Sequence, residues 1–172
     1  MPSIRPLLLS SALALCCTLP AYAKDTPLPI GQVQGSQARS ALVGQIVTVT
    51  GTVTADLRAG LQGFFVQDAG DGDAATSDAL WVVPGAGMAL PDIHTGQRWQ
   101  LTGTVAETGD GPHTLTTLQL ADAKVLGSAS ATPAPIALTA PPADWAALEG
   151  MLVRIDAPLT LNGTDTRFGQ TI

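Results

Sequence analysis

From Gln45 to Asp56 apolar and polar positions alternate strictly: Val47, Val49, Gly51, Val53 and Ala55 share one side, Thr48, Thr50, Thr52 and Thr54 the other. A period of two over this length predicts a half-buried β-strand with threonine on its wet face. The segment Gln97 to Glu107 repeats the pattern with Trp99, Leu101, Gly103 and Val105 on one side, which makes Trp99 a core residue. Gly51 and Gly103 both fall on the apolar side, where a missing side chain permits the sharp bend of a small barrel. Between these strands, Gly63 to Gln67 and Ala79 to Val83 read as a hairpin rich in aromatic and β-branched residues. Its long acidic loop carries Gly70, Gly72, Asp71, Asp73 and Ser77. A fifth strand is predicted over Thr114 to Leu126, after the turn Thr108 to Pro112. Its apolar phase slips between Leu120 and Ala121, which predicts a bulge.

Pro84 to Gly96 interrupts the strands with three glycines and two prolines, so it predicts a loop with at most one helical turn. Five strands with the loop-rich insert between the third and fourth is the order of an OB-fold, and residues 42–127 are assigned to that barrel. The fold class is therefore all-β. Upstream, residues 24–41 lack apolar periodicity and predict an extended entry segment. Downstream, residues 128–144 are rich in Pro, Ala, Ser and Thr and predict a linker. Residues 145–172 begin a further β module, with a hairpin expected about Asn162-Gly163. The pattern stops inside its second strand, an incomplete hairpin that predicts the front part of a longer, truncated protein.

The first 23 residues follow a different rule. Arg5, the apolar run Leu7 to Leu19 and the Ala21-Tyr22-Ala23 ending predict a secretory signal peptide cut after Ala23, hence a periplasmic or extracellular destination. Both cysteines, Cys16 and Cys17, lie in that leader, so disulfides, thiolate catalysis and cysteine metal sites are excluded from the remainder. Loss of the leader leaves 7 Lys and Arg against 14 Asp and Glu, a net charge of −7. A polyanion is repelled by such a chain unless its few cations gather on one face.

Two groups of residues carry candidate chemistry. Asp68, Asp71, Asp73 and Asp78 crowd the hairpin loop beside glycines, and oxygen-rich loops of this kind wrap calcium. Their spacing is not that of an EF-hand, and the competing reading is that they make side-chain turns at a hairpin tip. For nucleic acid, OB-folds stack bases on aromatic side chains of the second and third strands. Phe64 and Trp81 are the candidate platform, with Arg58 and Arg98 as phosphate contacts. Alternation sets Phe65 opposite to Phe64, so at least one of the two is core. His94 and His113 lie in separate loops without spaced partners, which argues against acid–base catalysis by this chain.

Three ordered blocks, VQGSQARSALVGQIVTVTGTVTADL, GFFVQDAGDGDAATSDALWVV and LEGMLVRIDAPLTL, resemble the N-terminal region of bacterial extracellular nucleases. The resemblance runs from Ile30 to the C-terminus. In that family an OB-fold module precedes an endonuclease/exonuclease/phosphatase domain, whose carboxylates and histidines bind magnesium. It implies for this chain a non-catalytic accessory module that positions nucleic acid or packs on the catalytic domain, with Mg2+ confined to the absent domain. The alternative is a stand-alone periplasmic binding or interaction module, calcium-loaded at Asp68 to Asp78, or a fragment without activity.

Overall fold

In a computed structural model, strands β1 (Ile46–Asp56), β2 (Phe64–Gln67), β3 (Ala79–Pro84), β4 (Gln97–Asp110) and β5 (His113–Ser128) close into a barrel. The structure describes residues 26–110, 113–129, 132–160, 164–165 and 170–171. The expected signal peptide lies outside them. Strand order is β1, β2, β3, β5, β4 and back to β1, with every pair antiparallel except β3 and β5. This is an all-β, OB-like barrel. The bulge falls where the apolar phase slips: Thr102 pairs with Asp122 and Gly103 with Leu120, so Ala121 is left over.

The barrel is filled from every wall. Val47, Val49 and Val53 of β1 meet Phe64 and Val66 of β2, Leu80 and Val82 of β3, Trp99, Leu101 and Val105 of β4, and Leu118 and Leu120 of β5. Each such side chain contributes roughly 1.5–3 kcal/mol by leaving water. The β3–β4 connection contains turns but no helix, and it lays Ile93 on the core with Met88 and Leu90 half-buried beside it.

Three expectations are corrected. The segment expected to be extended contains helix α1 (Ile30–Gln34), whose Ile30 and Val33 are fully buried, so the folded unit starts well before residue 42. Five residues are too few to display a helical period. Gly35 ends the helix at φ +70°, and its N–H closes on the Gly31 carbonyl at 2.8 Å. The threonine side of β1 is also not wet, since Thr48, Thr52 and Thr54 are buried. Leu28 pairs with Val49 along the β1 edge that β2 does not reach, donating to the Thr48 carbonyl at 2.8 Å. The Thr48 and Thr102 hydroxyls meet across β1 and β4 at 2.8 Å.

The third correction concerns the stretch after the barrel. The expected linker contains strand β6 (Ile136–Leu138), which pairs in parallel with β7 (Val153–Ile155). Between them a single 3-10 turn, Ala146–Leu148, leads into a strap that lies on the barrel. Residues 149–152 thus lie on the barrel instead of opening a separate module. Farther on, β8 (Thr164–Asp165) pairs with β9 (Gln170–Thr171). The expected Asn162-Gly163 turn lies outside the described residues.

Candidate functional site

On the outer face of β2 and β3, Phe65 stands directly opposite Trp81, with ring centroids 4.6 Å apart at 54°. Gln67 and Ala79 form the next outward pair. This is the face on which OB-folds stack single strands. Here it is already occupied. The Ser77 hydroxyl donates to the Glu149 carbonyl at 2.6 Å, and the Leu152 N–H donates to Gln67 Oε1 at 3.1 Å. Between these two anchors the backbone at Gly150 presses on the Phe65 ring. A Cβ at residue 150 would lie 2.6 Å from Phe65 Cε1, and the φ of +69° there also favours glycine. On this face Gln67 and Ala79 are buried, and Trp81, whose ring lies against Gly63 and Phe65, is only 6% exposed.

The four residues expected to hold nucleic acid do not converge. Phe64 points into the barrel opposite Val82 and is fully buried, so it offers no stacking surface. Trp81 is on the outer face but covered. Arg58, on helix α2 (Arg58–Leu61), makes a two-pronged ion pair with Asp56 at 2.8 and 2.9 Å. The Arg58 hydrogen bond holds the Asp56 carboxyl below its ordinary range. Arg98 is exposed on β4, which β5 separates from the β3 strand of Trp81 on one side of the barrel and β1 and β2 on the other. It lines a separate hollow of about 430 Å³ with Thr50, Thr52, Asp68 and Ser128.

The acidic loop is built on turn chemistry. Asp68 accepts from Gly70 N at 2.9 Å, Asp71 from Asp73 N at 3.0 Å, and Asp73 from Ala75 N at 2.9 Å, each reaching two residues on. Asp68 has a second task that its sequence context does not reveal. Its other oxygen accepts from Ile30 N at 2.8 Å and so caps α1 across 38 residues of chain. Asp78 keeps one buried oxygen without a partner, and burial pushes its carboxyl upward, helped by the charges of Asp68 and Asp71. Among the described residues no three carboxylates or histidines are grouped to hold a metal ion. Adding calcium chloride is accordingly expected to leave the melting temperature, followed by circular dichroism, unchanged. A rise that the pair Asp71→Asn and Asp73→Asn removes would place an ion in this loop.

Among the residues that fasten the strap, the sequence did not single out Gln34, Glu149 and Gly150, and it offered Ser77 only as a loop residue. Glu149 Oε1 accepts from Thr116 N at 3.2 Å, and Gln34 Nε2 donates to the Ala79 carbonyl at 2.5 Å. Burial raises the Glu149 carboxyl, opposed by the bonds from Thr116 and Gln34. Glu107 stands nearby at the same end of the barrel, where its Oε1 accepts from Ser40 N and the Thr116 hydroxyl at 2.9 and 3.0 Å. No local signal marks these groups, because all of these contacts but the Thr116–Glu107 bond join segments tens of residues apart.

No protein-family model matches the chain, and no curated protein is similar to it. Among solved structures it is similar to RecJ of Thermus thermophilus, in complex with Mn2+, at 16% identity and a TM-score of 0.30. The similarity covers 55% of this chain and 13% of that one.

Proposed function

We propose that this chain is a non-catalytic OB-type accessory module of an exported nuclease, and that its β2–β3 face seats its own chain instead of nucleic acid. The observation that carries this reading is the strap of Glu149 to Leu152, bonded to Ser77 and Gln67 and laid against Phe65, the ring partner of Trp81. A backbone fixed against Phe65 leaves little room for a base to stack there. The charge of the chain points the same way, since −6 over the whole sequence repels a phosphate backbone. Arg58, one of the two cations nearest to the role of phosphate contact, is engaged by Asp56. The secreted-nuclease context comes from the resemblance of the three sequence blocks, and export from the signal-like first 23 residues.

Two assays on the purified chain test the reading. With magnesium and plasmid DNA no cleavage is expected. Fluorescence anisotropy with a labelled single-stranded oligonucleotide should give a dissociation constant no tighter than about 10⁻⁴ M, the weak end of non-specific binding. Tighter binding that Phe65→Ala abolishes would mean that the strap yields to nucleic acid, and the seating role would be withdrawn.

A further inference from the structure

A cavity of about 480 Å³ opens beside the strap, within the size range of small-molecule sites. It is lined by Gln34 at the end of α1, by Ser36 and Gln37 of the loop that follows, and by Asp144, Trp145 and Glu149. Its floor includes Thr114 and Thr116 of β5. Two carboxylates line it, and among the described residues no lysine, arginine or histidine does. Trp145 is 60% exposed at the rim, an expensive position for the largest apolar side chain unless something packs on it.

The negative groups are held in place before any ligand arrives. Glu149 is fixed through its side chain by Thr116 N and through its carbonyl by Ser77, and Asp144 accepts from Ala146 N at 2.8 Å. Glu107, bonded to the same Thr116 through its hydroxyl, adds a third negative charge close behind. A neutral guest would leave these charges uncompensated, and an anion would be repelled. A cation is attracted by both lining carboxylates, and the indole that lines the same cavity has a quadrupole that attracts positive charge.

We propose that this cavity binds a small organic cation bearing an ammonium or guanidinium group, with Glu149 and Asp144 as its counter-charges and Trp145 as its aromatic wall. The site is separate from the covered β2–β3 platform and independent of any role in nucleic-acid processing. Agmatine, which carries one group of each kind, is the probe, and glucose is the neutral control. Calorimetric titration of the purified chain is expected to show saturable binding of agmatine and none of glucose. Glu149→Gln should weaken it at least about tenfold, the loss expected for one charge-assisted hydrogen bond. The glutamine keeps an acceptor for Thr116 N, and an unchanged melting temperature checks that the fold survives. Asp144→Asn and Trp145→Leu supply the same comparison should Glu149→Gln fold poorly, and each should weaken binding. Absence of saturable heat with agmatine, equal binding of glucose, or affinities indifferent to all three substitutions would overturn the proposal.

Discussion

Phe64→Ala is expected to cost about 3–5 kcal/mol of folding stability, the usual loss for a large aromatic truncated in a closed core. Phe64 is fully buried and pairs with Val82 inside the barrel, where Val66 and Leu80 form the neighbouring pair. β2 has only four residues, so it can shift little to fill the space without breaking its ladders to β1 and β3. The neighbouring Phe65→Ala is the comparison. Phe65 is half-buried outside the barrel, and its loss removes chiefly the contacts with Trp81 and with the strap at Gly150. Urea unfolding of both variants should therefore rank Phe64→Ala well below Phe65→Ala. A loss under about 1 kcal/mol at Phe64 would contradict its inward orientation.

The barrel is legible in the sequence wherever one residue's fate depends on its near neighbours. Alternation marks β1 and β4 because a half-buried strand sorts its side chains every second residue. The slip at Ala121 is visible for the same reason, since a bulge adds one residue to that count. The same alternation separates Phe64 from Phe65 but does not say which one faces the core. That choice depends on the closure of the barrel, which sets Phe64 against Val82 and leaves Phe65 with Trp81.

What the sequence hides are the long-range contacts. Asp68 looks like one more aspartate of a polar loop until it caps α1, and Ile30 and Val33 look like part of an unstructured lead-in until that helix turns them inward. The threonine side of β1 reads as solvated because nothing near it announces that Leu28 returns to pair at Val49. The candidate site shows the limit most sharply. Trp81 and the strands of the OB platform can be placed from strand order, yet the Phe that joins Trp81 is Phe65 and not the expected Phe64, and a Ser77–Glu149 bond across 72 residues fastens a strap against it. Charge is the exception, because the acidic balance that argues against polyanion binding is a property of composition and needs no contacts.

Gly51 and Gly103 carry the same sequence signature, an inward glycine in the middle of a bent strand, but the barrel treats them differently. A Cβ at residue 103 would fall 2.9 Å from the backbone carbon of Gln119, closer still to its oxygen, and 3.0 Å from Leu118 Cγ. Gln119 is in β5 beside the bulge, and its backbone is held in the ladder to Thr104. It cannot retreat without opening the longest strand pair of the barrel. At residue 51 the nearest atoms are Val66 Cβ at 3.0 Å, Val66 Cγ2 at 3.2 Å and Ile30 Cδ1 at 3.4 Å, all of them side-chain atoms. These can give by a few tenths of an ångström, and a strand position also gains from alanine's smaller backbone entropy loss. Gly103→Ala is therefore expected to cost about 3 kcal/mol, the upper part of the range for overpacking, and Gly51→Ala about 1 kcal/mol. Equilibrium urea unfolding, with the slope of the transition unchanged, reads the difference directly. Equal losses would mean that the barrel bends at both glycines for the same reason; the expected inequality assigns the bend role to Gly51 and a close backbone crossing to Gly103.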